Sequence, residues 1–290
     1  MLFRSVAKDA FDTVDPYFLT AIRYIGAVIF LGALLIYREG LSSLRYDGRA
    51  WSLSFFGVIG MCLSPTLVFI GMSMSAAEHA VIIVTLQPSI AAVTLWVMGK
   101  QRPSLFTIAC IAVALIGVIL VVTKGKFSFD GSKQALIGDM IVFAGAVAWV
   151  IYSLGVNRFS TLSTWRLTVL TMIPGAIATV VITIAMVQIA DIKVPSMNDY
   201  QSVALELMYL TFIGVVAAML AWNYGLRNVG AQNATLLINL MPVTAFTYRA
   251  IQGVQFELIE LIGVALVVGA LMANNLMQRS HQLAAIRAAT

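Results

Sequence analysis

The chain has 290 residues, of which 60% are hydrophobic and only 11% are charged, and its mean hydropathy is +0.93. Soluble domains carry about 25% charged residues, so this composition excludes a water-soluble globular protein. Its apolar runs have the length of helices that cross a bilayer, and they lack the alternating pattern of a membrane β-barrel. The composition therefore predicts an all-α polytopic membrane protein.

Nine membrane-spanning helices are predicted, each an apolar run between polar or glycine-containing segments. They cover about residues 17–37, 52–73, 77–98, 104–123, 136–157, 165–189, 202–226, 231–252 and 257–277. Residues 278–290 form a polar tail after the last helix. Nothing near the amino terminus resembles a cleavable signal peptide.

The second group of helices repeats the first. Nine residues between 59 and 99 are identical to residues 154 positions later, without a gap. The matches include glycines and a proline, namely Gly60, Gly71, Pro88 and Gly99, which recur as Gly214, Gly225, Pro242 and Gly253. Unrelated apolar stretches share Leu, Val and Ala by chance, but seldom proline and glycine as well. We therefore predict two copies of one unit, residues 1–123 and 136–277, joined by a loop at residues 124–135.

The repeat also predicts a tenth helix. At a separation of 148, residues 11–25 match residues 159–173 at five positions, so helix 136–157 should have a counterpart that ends near Asp9. Only the last residues of that counterpart are present, and we expect about 15 to 20 further helical residues before Met1. The alternative is a native amino terminus and nine helices.

The distribution of charge predicts the orientation. With ten helices and both ends in the cytoplasm, the cytoplasmic segments carry ten Lys and Arg against two acids, and the opposite segments carry six against eleven. Positive charge is retained on the cytoplasmic side during insertion, so we expect a plasma-membrane protein with a cytoplasmic carboxyl terminus. The net charge of +5 reflects this bias and implies no nucleic-acid partner.

Five helices per copy is an odd number, so the two copies should lie in opposite orientations across the membrane. Such an inverted repeat of two five-helix units is the architecture of many secondary transporters. The substrate site is then expected near the midplane of the bilayer, between the two halves.

A pattern of small residues and proline runs through both copies. In the second copy it comprises Gly225, Ala234, Leu240, Pro242, Gly253, Gly263 and Gly269. This pattern resembles the second repeat of the EamA group in the drug/metabolite transporter superfamily, and the stretch from Gly71 to Gly117 resembles the first. The resemblance implies ten helices, a central cavity lined by the third, fourth, eighth and ninth among others, and transport of small metabolites such as amino acids. The chain departs from the family at Lys100 and Val254, where relatives place a Glu.

One helix face in the second copy is mostly polar. Gln232, Thr235 and Asn239 recur at steps of three and four along helix 231–252. A polar side chain in hydrocarbon needs a partner, so these residues should contact a neighbouring helix, water or a substrate. We predict them as substrate-binding residues, with interhelical hydrogen bonds as the alternative.

The equivalent helix of the first copy is less polar. Gln87 and His79 are its remaining polar candidates for substrate binding, and a plain interfacial role is the alternative for His79. Pro88 and Pro242 lack a backbone N–H and should kink their helices. We predict a hinge at each proline, with simple packing as the alternative.

Aromatic residues provide further candidates for a metabolite pocket. Trp149 and Tyr152 lie three residues apart in one helix, and Trp222 and Asn223 are adjacent in another. Ring faces bind apolar and cationic groups, while N–H and O–H groups orient a ligand. The alternative is the aromatic belt of a membrane interface. Trp149 also matches a tryptophan that the EamA family tends to carry.

Acidic residues are absent from the middle third of every predicted helix, because Glu78, Asp139 and Glu206 lie near predicted outer ends. Proton-driven transporters usually carry a titratable group in the pathway. Coupling through a central carboxylate is therefore not expected. This leaves facilitated diffusion, or coupling through His79 or through a residue of the missing helix.

The sequence predicts a secondary transporter that moves small organic metabolites by alternating access, with export as the expected direction. A small-molecule substrate and membrane lipid are the expected partners, in a monomer or a homodimer. We expect no cofactor, metal site or catalytic residue, because there is no phosphate-binding loop and no Ser, His and Asp set. The alternatives are a membrane-embedded enzyme, for which two His are few, and a channel.

Overall fold

The computed structural model describes residues 13–75, 77–99, 102–123, 133–190, 192–234, 251 and 256–289. Side chains are described for these residues except 77–78, 122–123, 229–234 and 278–289. Within the described ranges the chain forms helices and short connections, without any strand. The predicted all-α architecture is therefore confirmed.

The helices are named here in chain order. They are α1 Pro16–Glu39, α2 Ala50–Met74, α3 Ala77–Thr85, α4 Gln87–Val97, α5 Leu105–Thr123, α6 Lys133–Val156, α7 Thr164–Ala190, α8 Met197–Ser202, α9 Ala204–Asn228 and α10 Leu258–Ala289. In the part of the chain that the structure describes, six are long and apolar enough to cross a membrane: α1, α2, α6, α7, α9 and α10. The pair α3 and α4 together would form a seventh, bent span, and α5 is a shorter apolar helix.

Two helices run further than the sequence predicted. The helix of α9 continues to Ala234, past the expected end at residue 226, because no proline interrupts it. The helix of α10 reaches Ala289, through most of the expected tail, because that segment is rich in alanine and other good helix formers. The rest of predicted helix 231–252, apart from helical Ile251, lies outside the described residues.

The predicted helix 77–98 is broken in the structure. Its two parts, α3 and α4, meet at an angle of 41°. Leu86 N–H donates to the carbonyl of Ile83 at 3.0 Å, which tightens the last turn of α3. Pro88 lies in the first turn of α4, where its missing N–H needs no partner. Pro88 therefore begins a second helix, where the sequence predicted a kink within one; a hinge movement there stays a prediction.

The duplication extends to the backbone geometry. Helix α2 contains a π-helical segment at Val58–Leu63, and α9 contains one at Phe212–Ala217. Both segments have six residues, and each residue of one lies 154 positions from its counterpart in the other. The π-helix is rare and occurs often at functional sites. Its presence at equivalent positions supports the origin of α2 and α9 as copies of one helix.

The chain divides by internal contacts into two compact units. The first consists of Met1–Phe69 and Ile151–Gly230, and the second of Ile70–Val150 and Ala231–Thr290. Each unit therefore contains segments from both copies of the repeat.

The first unit is held together by close contact of helices α2, α6 and α7. A Cβ atom built on Gly60 would lie only 2.2 Å from the Tyr152 ring, so the ring of α6 packs directly on the backbone of the π-helical segment in α2. Val14, Leu19 and Leu210 of the same unit belong to an apolar cluster that joins α1 to α9. These contacts leave space at position 60 for glycine alone.

Side-chain hydrogen bonds fix the loop between α1 and α2 against the start of α7. Ser163 Oγ donates to Glu39 Oε1 at 2.5 Å, and Arg166 Nη2 donates to Asp47 Oδ2 at 2.6 Å. Tyr46 O–H donates to the carbonyl of Leu170 at 3.1 Å. Burial raises the pKa of Tyr46, so the phenol stays a hydrogen-bond donor at neutral pH.

The second unit is built around two helix crossings. Helices α5 and α10 pack through a cluster that includes Cys110, Ala114 and Ala270. The end of α2 crosses α6 at Gly71 and Gly138, where a Cβ built on Gly71 would lie 2.4 Å from the carbonyl oxygen of Gly138. The second crossing brings the backbones of α2 and α6 into direct contact, so the side chains next to the crossing lie within hydrogen-bond distance.

Gly60→Ala should destabilise the protein by about 1–3 kcal/mol, because the added methyl group would overlap the Tyr152 ring in a packed interior. The matched control is Gly32→Ala in α1, since a Cβ there meets no atom within 4 Å. Alanine also favours a helix, so the control should be neutral or slightly stabilising. Thermal unfolding of the purified variants in detergent measures the difference. Equal melting temperatures for the two variants would show that Tyr152 does not pack on Gly60.

Candidate functional site

Three predicted binding residues of the first unit lie together. Tyr152 O–H donates to Asn223 Oδ1 at 3.1 Å, and Asn223 Nδ2 donates to Thr168 Oγ1 at 2.9 Å. The side chains of Tyr152, Asn223 and Thr168 are all buried, with Asn223 only 1% exposed. The bonds connect α6, α9 and α7, so one amide ties three membrane helices together. Trp222, the third predicted residue, is adjacent on α9.

Trp222 forms a separate hydrogen bond next to this network. Its Nε1–H donates to Ser153 Oγ at 3.3 Å. Consecutive residues of α6, Tyr152 and Ser153, thus bond to consecutive residues of α9, Asn223 and Trp222. The indole is half-buried, so part of the ring is accessible.

Each group of this hydrogen-bond network has a defined role as donor or acceptor. Thr168 Oγ1 donates its proton to the carbonyl of Thr164 at 2.7 Å, so it accepts from Asn223. The amide of Asn223 is then oriented with Nδ2 towards Thr168 and Oδ1 towards Tyr152. Because the interior of a membrane protein offers few polar partners, a polar chain of this kind is costly unless each member is bonded.

An open groove of about 480 Å³ lies at one end of the first unit. Its lining comprises Ser163, Thr164, Trp165, Leu220, Ala221, Tyr224, Arg227 and Asn228. Tyr224 is 64% exposed, whereas its neighbour Asn223 is buried, so α9 presents one residue to the groove and the other to the interior. The groove is in the size range of small-molecule sites, although it is open on one side.

Charged and aromatic groups are fixed at this groove. Arg227 Nη1 donates to the carbonyl of Leu162 at 2.8 Å, which holds the guanidinium at the rim. The guanidinium carbon of Arg38 lies 4.8 Å from the centre of the Trp165 ring, a cation–π contact. The rim therefore combines a held cation with aromatic surface.

The structure describes only some of the other predicted binding residues. Trp149 is half-buried on α6, one turn before Tyr152, and Gln87 is buried at the start of α4. Gln232 lies in the helical continuation of α9, but its side chain is not described. Thr235, Asn239 and the proposed hinge Pro242 lie outside the described residues, so the polar face of helix 231–252 stays a prediction.

His79 lies in a polar cluster of the second unit that the sequence did not predict. Its Nδ1 is 3.3 Å from Asp139 Oδ2 and 3.3 Å from Ser75 Oγ. Ser75 Oγ donates to Asp139 Oδ1 at 2.5 Å. The sequence separates these residues by up to 64 positions, and the signal that connects them is structural: Gly71 and Gly138 cross immediately beside them.

Sequence reasoning missed four residues of these polar contacts, namely Thr168 and Ser153 beside Asn223 and Trp222, and Ser75 and Asp139 beside His79. Serine and threonine are common in membrane helices, where they often bond to their own backbone. Nothing in the sequence separates Thr168, Ser153 and Ser75 from the many that do so. Among the described residues, no group of three His, Cys, Asp or Glu side chains could hold a metal ion.

Comparison with known proteins identifies the family. The model of the EamA-like transporter family matches residues 3–123 and again residues 136–276. The uncharacterized transporter YrdR of Bacillus subtilis (strain 168) is 31% identical over 95% of this chain and 87% of that protein, and the uncharacterized transporter YyaM of the same organism is 26% identical over 94% and 89%. A crystal structure of a protein with 21% identity shares the fold, with a TM-score of 0.67 over 96% of this chain and 94% of that chain. The chain belongs to the EamA-like transporter family and is a multi-pass membrane transporter, not an enzyme.

Proposed function

We propose that this transporter exports small organic metabolites such as amino acids across the plasma membrane by alternating access. Its family and its duplicated unit support the alternating-access mechanism, since inverted repeats of this kind open in turn to each side. The observation that carries the substrate site is the buried network of Tyr152, Asn223 and Thr168. We expect a monomer or a homodimer with a cytoplasmic carboxyl terminus.

The network suits a polar metabolite because its bonds can be exchanged. An amino acid carboxylate can accept from the Tyr152 O–H and from Asn223 Nδ2, groups that bond within the protein when no substrate is present. Replacing one hydrogen bond by another costs little, whereas leaving a buried group unbonded costs about 1–3 kcal/mol. The site would therefore select ligands that supply acceptors, and it would reject purely apolar compounds.

The two π-helical segments provide a means of opening the network. Gly60 of the α2 segment contacts the Tyr152 ring, and the α9 segment ends at Ala217, five residues before Trp222. π-helical turns are frequent at functional sites and are among the places where helices kink. We expect a change in bending at these segments to move Tyr152 and Asn223 apart, which would admit the substrate.

The groove at the end of the first unit supports export. The segments that line it, around Ser163 and Arg227, are those that the charge distribution assigns to the cytoplasmic side. The guanidinium of Arg227 and the rings of Trp165 and Tyr224 would attract a carboxylate with an apolar or aromatic side chain. We propose the groove as the cytoplasmic entrance for the substrate.

Asn223→Ala should reduce substrate exchange about tenfold, which corresponds to the loss of about 1.4 kcal/mol of hydrogen bonding in the site. Counterflow of a panel of radiolabelled amino acids into proteoliposomes measures the exchange. Asn198→Ala is the matched control, because Asn198 is exposed in the short helix α8 and should exchange like the wild type. Equal exchange by both variants would remove Asn223 from the site.

Tyr152→Phe tests the same bond from its other end and should give a smaller loss, because the ring still fills its place against Gly60. Thermal unfolding of each variant separates a loss of transport from a loss of fold. Flux that neither saturates nor shows counterflow would indicate a channel.

A cysteine at the carboxyl terminus, Thr290→Cys, should react with a membrane-impermeant maleimide in inside-out vesicles and not in intact cells. Lys193→Cys, in the connection predicted for the opposite side, should show the reverse pattern. The native cysteines, Cys62 and Cys110, are both buried. Changing both to alanine removes any labelling at native thiols. Labelling of both positions from the same side would contradict the proposed orientation.

A further inference from the structure

We propose that Ser75, His79 and Asp139 bind the proton that drives transport. This inference rests on the proposed function, because it assigns the coupling ion of the same transporter. It differs from the sequence-based expectation, in which His79 was one remaining candidate and Asp139 had no role. The cluster lies wholly within the second unit.

The helix crossing at Gly71 and Gly138 builds the cluster. Ser75 follows Gly71 by one helical turn, and Asp139 is the next residue after Gly138. With no side chains between the two backbones, Ser75 Oγ comes within 2.5 Å of Asp139 Oδ1. Helix α3 then begins at Ala77 and places His79 over both groups. Three segments of the chain thus converge on one carboxylate.

The carboxylate of the cluster is buried. Asp139 is 7% exposed within a membrane-spanning helix, and it is the seventh residue of α6. Ionisable residues inside membrane segments are expensive, and they commonly mark ion pathways and proton relays. The His79 side chain is 12% exposed, more than that of Asp139 at 8%, so in this proposal His79 is the group through which the proton enters and leaves.

The distances allow two alternative arrangements of hydrogen bonds. When the imidazole is protonated, its Nδ1–H can donate to Asp139 Oδ2, which ties α3 to α6. When it is neutral with the proton on Nε2, Nδ1 can accept the Ser75 hydroxyl proton, which then no longer bonds to Asp139 Oδ1, and α3 is tied to the end of α2. Binding one proton from water, and returning it to water, thereby changes the partner of α3.

Other titratable side chains on the elements packed against this cluster are few. Helix α5 carries Cys110, α6 begins with the exposed Lys133, and α10 carries Glu260, whose Oε2 accepts from the backbone N–H of Glu257 at 2.8 Å. Helix α4 carries no charged residue. Of the side chains described on these elements, Asp139 is the one with an ion-pair contact to His79.

A structural role would need only a polar contact between α3 and α6. Asparagine at position 139 and glutamine at position 79 would preserve such a contact, because amides both donate and accept. They cannot exchange a proton near neutral pH. The pair of variants Asp139→Asn and His79→Gln therefore distinguishes a proton site from a structural bond.

The test uses the full chain in proteoliposomes with a pH difference of one unit and equal concentrations of an amino acid that passes the counterflow assay. For one proton exchanged per substrate, and with the membrane potential held at zero by K⁺ and valinomycin, the wild type should concentrate that amino acid about tenfold on the acidic side, since one pH unit is a tenfold proton ratio. Asp139→Asn should lose this accumulation and keep counterflow, and His79→Gln should also lose the accumulation. Matched controls are Asp199→Asn, a capping-box residue of the short helix α8, and His281→Gln; both should accumulate like the wild type.

Counterflow without accumulation in the wild type would overturn the proton site and leave the proposed function intact. Accumulation that survives in Asp139→Asn and His79→Gln would also overturn it. If these variants do not fold, Ser75→Ala serves instead. It removes the partner of the neutral imidazole, and it should shift the pH at which accumulation is half-maximal.

A measurement without substrate covers the case in which no panel member is exchanged. The chain has two histidines, so His281→Gln leaves His79 as the source of any histidine signal. In protein labelled with ¹⁵N-histidine, the ring nitrogens of His79 should respond to pH differently when Asp139→Asn is added. Identical responses would show that the two groups share no proton, and the proton site would be wrong.

Discussion

Hydrocarbon offers a polar side chain no partner, and this constraint determines where the polar residues of the protein lie. The chain answers it by bonding polar groups to one another across helices, as Asn223 does between Tyr152 and Thr168. Each such bond requires two helix backbones to come close. The close approaches depend on glycine, at Gly60 beside the Tyr152 ring and at the crossing of Gly71 with Gly138. Glycines at these contacts therefore let the polar side chains of neighbouring helices come within hydrogen-bond distance.

The two copies of the repeat share a backbone and have diverged in their side chains. The π-helical segments of α2 and α9 occupy equivalent positions. However, the residues equivalent to Trp222 and Asn223 in the first copy are Val68 and Phe69. Phe69 contacts the guanidinium of Arg23, with 5.9 Å between the ring centre and the guanidinium carbon. One copy thus bonds a buried amide where the other covers a buried cation.

Sequence reasoning was most successful where its signal is local. Apolar runs located the helices, and the repeated glycines and prolines revealed the duplication and the family. It was less successful at Leu86, where Pro88 begins a new helix, and at Leu226, where the helix continues. Proline is compatible with both a kink and a helix start, and the choice depends on neighbouring segments. Tyr152, Trp222 and Asn223 were each predicted as binding residues, in two separate helices, but Thr168 and Ser153 were not, because hydroxyl residues give no signal of their partners.

The sequence by itself determined that this is a duplicated, all-helical membrane transporter, because hydropathy and repeated glycines are properties of single segments. Only the tertiary structure decided which polar groups meet. Asp139 gives no sign in the sequence that it lies beside His79, 60 residues away. That contact depends on how closely two helices cross, and the distance of a crossing is set by packing between segments, which no local pattern encodes.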